Sequence, residues 1–420
     1  MLQTRETSAD SCLGRSSRIS KLDAYPFDIA FVQPEGATRH RAYRWGFGVT
    51  PSISGAFVRI ETDDGLVGWG EASMIFHPRQ PATILVAMLE AIGRQIVGAN
   101  PFDPERIIAG LHSQQGWHFH RDLAHYALGG IDIALYDLIG HASGLSVSEL
   151  LGGRVRDEVP FMYFLYWDEI EATISEARAA TADGFRSLYI KVGVEDPGEE
   201  VERIRAVRSA VGDRVQIRID ANERWSPGMA VRFIKQLEDL DLEFVEQPVL
   251  AQDIQGLATV RQRCRTPIAS DQASRTSHQL LRVIQANAAD VVSSDPGGAG
   301  GIAAARRSAA IAEAAGLPFV VHSNVEAGIG TAAAVHLAAA CVNCTYANQT
   351  EYQFAADDVL DQRLVLSGGS IAVPDGPGLG VKVNEDAVAA LAEEFRRSSS
   401  AGAGSSSENL AGGEWFLPDY

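Results

Sequence analysis

Cysteine is scarce in this chain. The four present, Cys12, Cys264, Cys341 and Cys344 among 420 residues, are too few for a disulfide framework, so a cytoplasmic protein is expected. Cys341 and Cys344 form a C-x-x-C, but no second pair accompanies them. Buried structural thiols are therefore a simpler reading than a zinc or redox site. No apolar run of about 18 residues occurs, so no membrane span is expected. The first 20 residues lack an apolar core, which argues against a secretory signal. Basic residues are also under-represented, 36 against 54 acidic ones, for a net charge of −18. Such a chain repels nucleic acid and anionic membranes, and neither is expected as a partner. The same charge repels an anionic substrate, so a site for one needs local cations or a metal.

What is present is ordinary globular material, 46% hydrophobic and 21% charged, at a length that suggests two domains or one large barrel with additions. Residues 1–18 read as a disordered tail. Residues 19–150 read as a separate α+β domain. Runs 56–61 and 66–71 flank the turn Asp63-Asp64-Gly65 as a hairpin, because Asp-Gly tolerates the positive φ of tight turns. Helical periodicity follows at 81–98 and 122–142, with Ile131, Ala134, Leu135 and Leu138 on one face.

From Val159 the pattern changes. Short apolar runs at 159–166, 187–193, 215–220, 242–246, 267–271, 290–295, 318–322 and 345–351 alternate with seven helical segments. Eight β units alternating with helices predict a parallel (β/α)-barrel, spanning residues 151–365 and capped by the N-terminal α+β domain. A doubly wound open sheet is the architectural alternative. Residues 366–396 read as a short β segment and a helix returning to the capping domain. Residues 397–420, rich in Ser and Gly, read as a flexible tail.

The ends of the predicted strands carry the chemistry. Strands two to eight end in Lys191, Asp220, Glu246, Asp271, Asp295, His322 and Glu351, at successive gaps of 29, 26, 25, 24, 27 and 29 residues. Each gap is about one βα unit, and in a barrel the C-terminal strand ends converge on one mouth. Seven ionisable groups in phase, each closing an apolar run, would then face a single cavity. Asp220, Glu246 and Asp271 lie on adjacent strands. Unpaired, they would repel one another and raise their pKa values. A hard divalent cation removes that problem. Oxygen ligands favour Mg²⁺ over Zn²⁺, with Mn²⁺ as the alternative.

Lys191 and His322 flank this triad on opposite sides, as two bases facing one substrate atom would. Asp295 is placed to accept a hydrogen bond from the imidazole and stabilise its protonated form. A protonated Glu351 would hydrogen-bond a substrate carboxylate. A carbon next to a carboxylate is a very weak acid, and a base removes its proton only if the resulting enediolate is stabilised. A metal on the carboxylate supplies that where charge develops. The expected enzyme therefore abstracts the α-proton of a small carboxylate.

At this point the chain resembles the enolase superfamily, and within it the mandelate racemase and muconate-lactonising group, over about residues 20–395. The resemblance is carried by G-I-D-I-A-L-Y-D-L-I-G-H at 130–141, L-L-G-G at 150–153, R-I-D-A-N at 218–222 and V-E-Q-P at 245–248. P-I-A-S-D-Q at 267–272, G-G-I at 300–302 and P-D-G-P-G-L-G-V at 374–381 add to it. It implies Asp220, Glu246 and Asp271 as Mg²⁺ ligands, and Lys191 as the second lysine of a K-x-K. It also implies Asn222 as a substrate-contacting amide, Asp295 with His322 as a dyad, and Glu351 as an electrophile.

Two positions depart from the pattern. Tyr189 stands where the first lysine of K-x-K belongs, and we place it, with Asn222, against the substrate. The third ligand is an aspartate, as in the lactonising branch, while the dyad is racemase-like. The expected reaction is racemisation, dehydration or cycloisomerisation of a hydroxy acid or acid sugar, by a homo-oligomer. A lactonising enzyme or an amino-acid or dipeptide epimerase is the alternative, and a non-catalytic acid-binding barrel the reading from another class.

Other features read more plainly. Gly297, Gly298, Gly300 and Gly301 suggest a phosphate turn, but no acidic residue sits where a ribose would need it. His118 and His120 read as loop histidines, and Glu326 as a charge favourable to a helix N-terminus. Arg39, His40, Arg41 and Arg44 make a basic segment in an acidic protein, either a lid over the mouth or a solvated loop.

Overall fold

The structure, a computed structural model, describes residues 16–32, 42–45, 48–50, 52–74, 81–113, 121–166 and 168–400. Cys12, the segment with Arg39, His40 and Arg41, the pair His118 and His120, and residues 401–420 lie outside the described residues.

The N-terminal part is an antiparallel sheet of β1 (Ile19–Ala30), β4 (Ser52–Thr62) and β5 (Val67–Ser73), in the order β1-β4-β5. A ribbon of β2 (Tyr43–Trp45) and β3 (Gly48–Thr50) interrupts it in sequence. The β4–β5 turn holds Gly65 at φ +87°, the conformation for which the Asp-Gly signal stood. Helices α1 (Pro81–Ile96), α2 (Pro104–Ser113) and α3 (Arg121–Ser143) cover this sheet, and the short α4 (Val147–Leu150) leads out of it. Glycines make the α3–sheet contact close. A Cβ on Gly70 would lie 2.0 Å from the Gly130 carbonyl, and one on Gly68 2.1 Å from that of Ala134.

Beyond β6 (Glu158–Pro160) the chain alternates β7 (Tyr163–Leu165), α5 (Ile170–Ala182), β8 (Ser187–Lys191), α6 (Pro197–Val211), β9 (Gln216–Asp220), α7 (Pro227–Lys235), β10 (Phe244–Glu246) and α8 (Ile254–Arg263). The alternation continues through β11 (Ile268–Ser270), α9 (Ser277–Gln285), β12 (Val291–Ser294), α10 (Pro296–Ala299), α11 (Ile302–Ala314), β13 (Phe319–Val321) and α12 (Gly328–Ala340). Local signals start several helices. Asp196 and Ser226 cap α6 and α7 ahead of a proline, and Thr276 with Gln279 forms a capping box on α9. The seven strands β7 to β13 form one parallel sheet in strictly sequential order. A doubly wound sheet would reverse order at a switch point, so this is the curled sheet of a (β/α)-barrel.

Two strand expectations are corrected. The run 159–166 is split: β6 leaves the barrel to pair antiparallel with β15 (Ser370–Ala372), itself paired with β14 (Leu366–Ser367). The run 345–351 is not a regular strand. Asn348 substitutes side-chain bonds for part of a ladder. Its backbone N–H donates to Pro160 O at 2.7 Å and its carbonyl accepts from Met162 N at 2.8 Å. On the other side its Oδ1 accepts from Val321 N at 2.9 Å, and Gln349 N donates to Val321 O at 2.9 Å. The segment thus joins the two edges of the sheet in the eighth position. Inside, fully buried Arg218 pairs with Glu243, lies over the Phe244 ring at 4.6 Å and donates to Ala347 O at 2.6 Å.

The capping part docks on the barrel through buried carboxylates. Asp132 of α3 accepts from Ala303 N at 3.3 Å, at the start of α11, and Asp137 accepts from Leu379 N at 2.8 Å and Trp69 N at 2.9 Å. The last helix, α13 (Glu385–Ser400), packs back on β1. Among the described residues no helix is long and apolar enough to cross a membrane.

Candidate active site

Register alone brings the first three groups together. Pairing of β8 with β9 sets Lys191 beside Asp220, and pairing of β9 with β10 sets Asp220 beside Glu246. Asp271 follows β11, Asp295 follows β12, His322 follows β13, and Glu351 ends the closing segment. All nine side chains singled out from the sequence are buried, His322 being the most exposed at 6%.

Lys191 donates to Asn222 Oδ1 at 2.6 Å and to the Tyr189 hydroxyl at 3.2 Å, and it pairs with Asp220. Tyr189 in turn donates to Asp220 Oδ2 at 2.6 Å. Asp220 Oδ1 accepts from the backbone N–H of Asn222 at 2.7 Å, which holds Asn222 at φ +41°. Glu223 and Gln247, also just past strand ends, lie at φ +68° and +33°. Left-handed backbone at non-glycine positions costs energy and collects at functional sites.

On the other side, His322 Nε2 lies 3.5 Å from Asp271 Oδ2 and 3.8 Å from Glu246 Oε1, and Nδ1 lies 3.8 Å from Asp295 Oδ2. These are ion-pair separations, longer than hydrogen bonds, and neither ring nitrogen has a hydrogen-bond partner. Asp295 spends its other oxygen on Gly298 N at 2.6 Å. That bond and the fit of Gly301 against Asp132 account for the glycine turn without a phosphate: a Cβ on Gly301 would sit 2.4 Å from the Asp132 carboxyl carbon.

Burial and the neighbouring Asp220 charge push the Glu246 carboxyl up to about 7. Burial, with Asp220 and Asp295 adding and Arg275 opposing, pushes Asp271 up to about 8. Burial also raises Glu351, in the direction a hydrogen-bond donor to a carboxylate requires. Glu246, Asp271 and His322 each offer a ligand atom within 4.8 Å of the others, and Glu246 Oε1 is buried without a hydrogen-bond partner. An orphaned carboxylate oxygen among carboxyls that resist ionisation is what a hard divalent cation would resolve, so Glu246 and Asp271, though not the imidazole beside them, fit Mg²⁺. Asp220, the third expected ligand, is engaged by Lys191 and Tyr189.

Sequence reasoning missed several residues. Gln349 donates to Glu246 Oε2 at 2.8 Å, and two-residue strand periodicity back from Glu351 would have found it. Gln247, next to Glu246, accepts from Asp271 N at 3.0 Å and Ala273 N at 3.1 Å, so it holds the Asp271 turn. Cys341 and Cys344 are buried free thiols. Burial raises them to about 12 and 11, which suits inert packing groups.

A barrel whose strand ends bring buried carboxyls together between a lysine and a histidine points to a class of enzyme, and sequence comparison gives the family. Residues 30–152 match the mandelate racemase / muconate lactonizing enzyme N-terminal domain, and residues 172–387 match the enolase C-terminal domain-like family. The chain belongs to the mandelate racemase / muconate lactonizing enzyme group of the enolase superfamily, whose members use Mg²⁺. It is 33% identical to the L-Ala-D/L-Glu epimerase of Bacillus subtilis over 343 residues, 77% of this chain and 88% of that one. It is 32% identical to the D-galactarolactone cycloisomerase of Agrobacterium fabrum over 355 residues, 81% and 90% of the two chains. The crystal structure of an enolase from Mycobacterium smegmatis complexed with tartrate superposes with a TM-score of 0.80 at 31% identity, covering 91% of this chain and 92% of that one. The chain is an enzyme of this group.

Proposed function

We propose that the enzyme abstracts the α-proton of a small carboxylate, a hydroxy acid or an acid sugar, and completes a racemisation, dehydration or cycloisomerisation. The observation that supports this reading is that the buried side chains of Lys191 and His322 follow strands on either side of the acidic set. Mg²⁺ held by Asp220, Glu246 and Asp271 would supply positive charge at the substrate carboxylate. Lys191, oriented by Asn222, would take or return a proton on one face of the α carbon. His322 would do so on the other, its imidazolium stabilised by Asp295. Glu351, whose pKa burial raises, would donate to the carboxylate in its protonated form, and Tyr189 and Asn222 would line the reacting end.

A second reading, a dipeptide or amino-acid epimerase, is favoured by the Bacillus subtilis relative. One experiment tests both: the enzyme with Mg²⁺ in heavy water, offered hydroxy acids, acid sugars, lactones and dipeptides. Deuterium at an α carbon names the substrate class. No exchange from any of them, with Mg²⁺ shown to bind, overturns the proposal.

A further inference from the structure

The imidazole of His322 makes no hydrogen bond of its own; both ring nitrogens are buried without a partner. With Asp271, Glu246 and Asp295 only at ion-pair distance, its aim depends on its backbone and on the loop that follows, residues 323–327. That loop is tightly specified. Ser323 Oγ donates to Glu326 Oε2 at 2.7 Å and accepts from Val325 N at 2.9 Å, and Glu326 Oε1 accepts from Asn324 N at 2.7 Å. These bonds hold Val325 at φ +62°, a conformation that a β-branched residue keeps only when its surroundings over-determine it.

The far end of the loop is fixed from the other part of the molecule. Helix α12 starts at Gly328 behind Ala327, whose methyl group cannot cap it, and its first turn carries no acid. Its orphan N–H groups are taken by distant carboxylates. Glu71, on β5 of the capping sheet and 2% exposed, accepts from Ala327 N at 2.7 Å through Oε1 and from Gly330 N at 2.8 Å through Oε2. Ser73 donates to the same Oε1 at 2.6 Å. Asp358 accepts from Gly328 N at 3.2 Å, and Tyr126 of α3 donates to Asn324 Oδ1 at 3.3 Å. The seat has no slack, for a Cβ on Gly330 would fall 2.7 Å from Glu326 and 3.2 Å from the Glu71 carboxyl carbon.

We propose that Glu71 is a positioning residue for His322: by clamping Ala327 and Gly330 it fixes loop 323–327 and so helps aim an imidazole that no hydrogen bond orients. This rests on the reading of His322 as one of two bases. A Glu71 that only glued the capping sheet to the barrel would serve both bases alike; a Glu71 that aims His322 serves one.

The test is face-specific. Wild-type enzyme, His322→Asn, Glu71→Gln and Ser73→Ala are compared with Mg²⁺ in heavy water, measuring α-proton exchange on each face of the substrate carbon. His322→Asn identifies the His322 face. Glu71→Gln should slow exchange on that face by about 10²-fold, the cost of misplacing a reacting group by about 1 Å, and leave the Lys191 face within about twofold. Ser73→Ala, which keeps both backbone contacts of Glu71, should change neither face. If Glu71→Gln fails to fold, Tyr126→Phe carries the comparison, with a smaller loss confined to the same face. Equal loss on both faces, or no loss, overturns the positioning role while leaving the proposed reaction intact. Absence of exchange in the wild-type enzyme overturns the reaction itself, and the role with it.

Discussion

The Tyr189 hydroxyl donates to Asp220 Oδ2 at 2.6 Å while accepting from the Lys191 ammonium at 3.2 Å, so one neutral phenol couples a base to a candidate metal ligand. In a K-x-K arrangement that position would carry a second ammonium. Hydrogen-bond partners behind a metal ligand are worth about 10–100-fold in metal affinity. Tyr189→Phe is therefore expected to weaken Mg²⁺ binding within that range, measured by calorimetry. Unchanged affinity would return Tyr189 to a purely substrate-facing role.

Metal binding should release protons. With Glu246 raised to about 7 and Asp271 to about 8, both carboxyls are partly protonated at pH 7, and a cation requires them ionised. Apparent Mg²⁺ affinity should rise between pH 6 and 8, with on the order of one proton released per ion at pH 7. The calorimetric heat should then differ between buffers of different ionisation enthalpy. Asp220→Asn, Glu246→Gln and Asp271→Asn should each weaken binding, and a residue whose loss leaves affinity unchanged is not a ligand.

The two bases should separate by face. Lys191→Ala should cut exchange from one face of the α carbon by about 10²–10⁴-fold and spare the other, with His322→Asn doing the reverse. If the net reaction is dehydration or cycloisomerisation, one of these variants should exchange deuterium without turnover. Full activity in His322→Asn would move the second base elsewhere.

Asp132, buried at the start of α11, bears on stability. Burial raises its pKa from about 4 to about 7. A carboxyl whose folded pKa lies above its unfolded one holds its proton in the folded state, so stability falls as pH rises through that window. Asp132→Asn, neutral throughout, should gain on the order of 1–3 kcal/mol over the parent at pH 8 and little at pH 4. Urea unfolding at the two pH values measures this; an equal effect at both would show that folding leaves the Asp132 pKa unshifted.

Much of this molecule could be read from its residues because barrel geometry is repetitive. An ionisable residue ending each apolar run marks a strand end, and parallel register then places Lys191, Asp220 and Glu246 abreast. The eighth position was misread as a strand because its side chains look like a strand end, whereas Asn348 makes the closure with its amide. Pro160 looked like strand interior, yet β6 turns out to pair with Ser370–Ala372, more than 200 residues on. Least legible were Glu71 and Asp132. Each caps a helix whose own sequence supplies no cap, from 256 and 171 positions away, and nothing local announces such a partnership.

The seam at Asn348 has a consequence for biosynthesis. It ties Pro160, 188 positions earlier, to Val321, 27 positions earlier, and the next residue, Gln349, completes the surroundings of Glu246. A nascent chain that already contains Lys191, Asp220, Glu246, Asp271 and His322 still lacks the stitch that brings the sheet's edges together. A truncation just after α12 is therefore expected to keep Lys191, His322, Asp220, Glu246 and Asp271 in the chain yet abolish activity, because it removes this stitch together with Glu351.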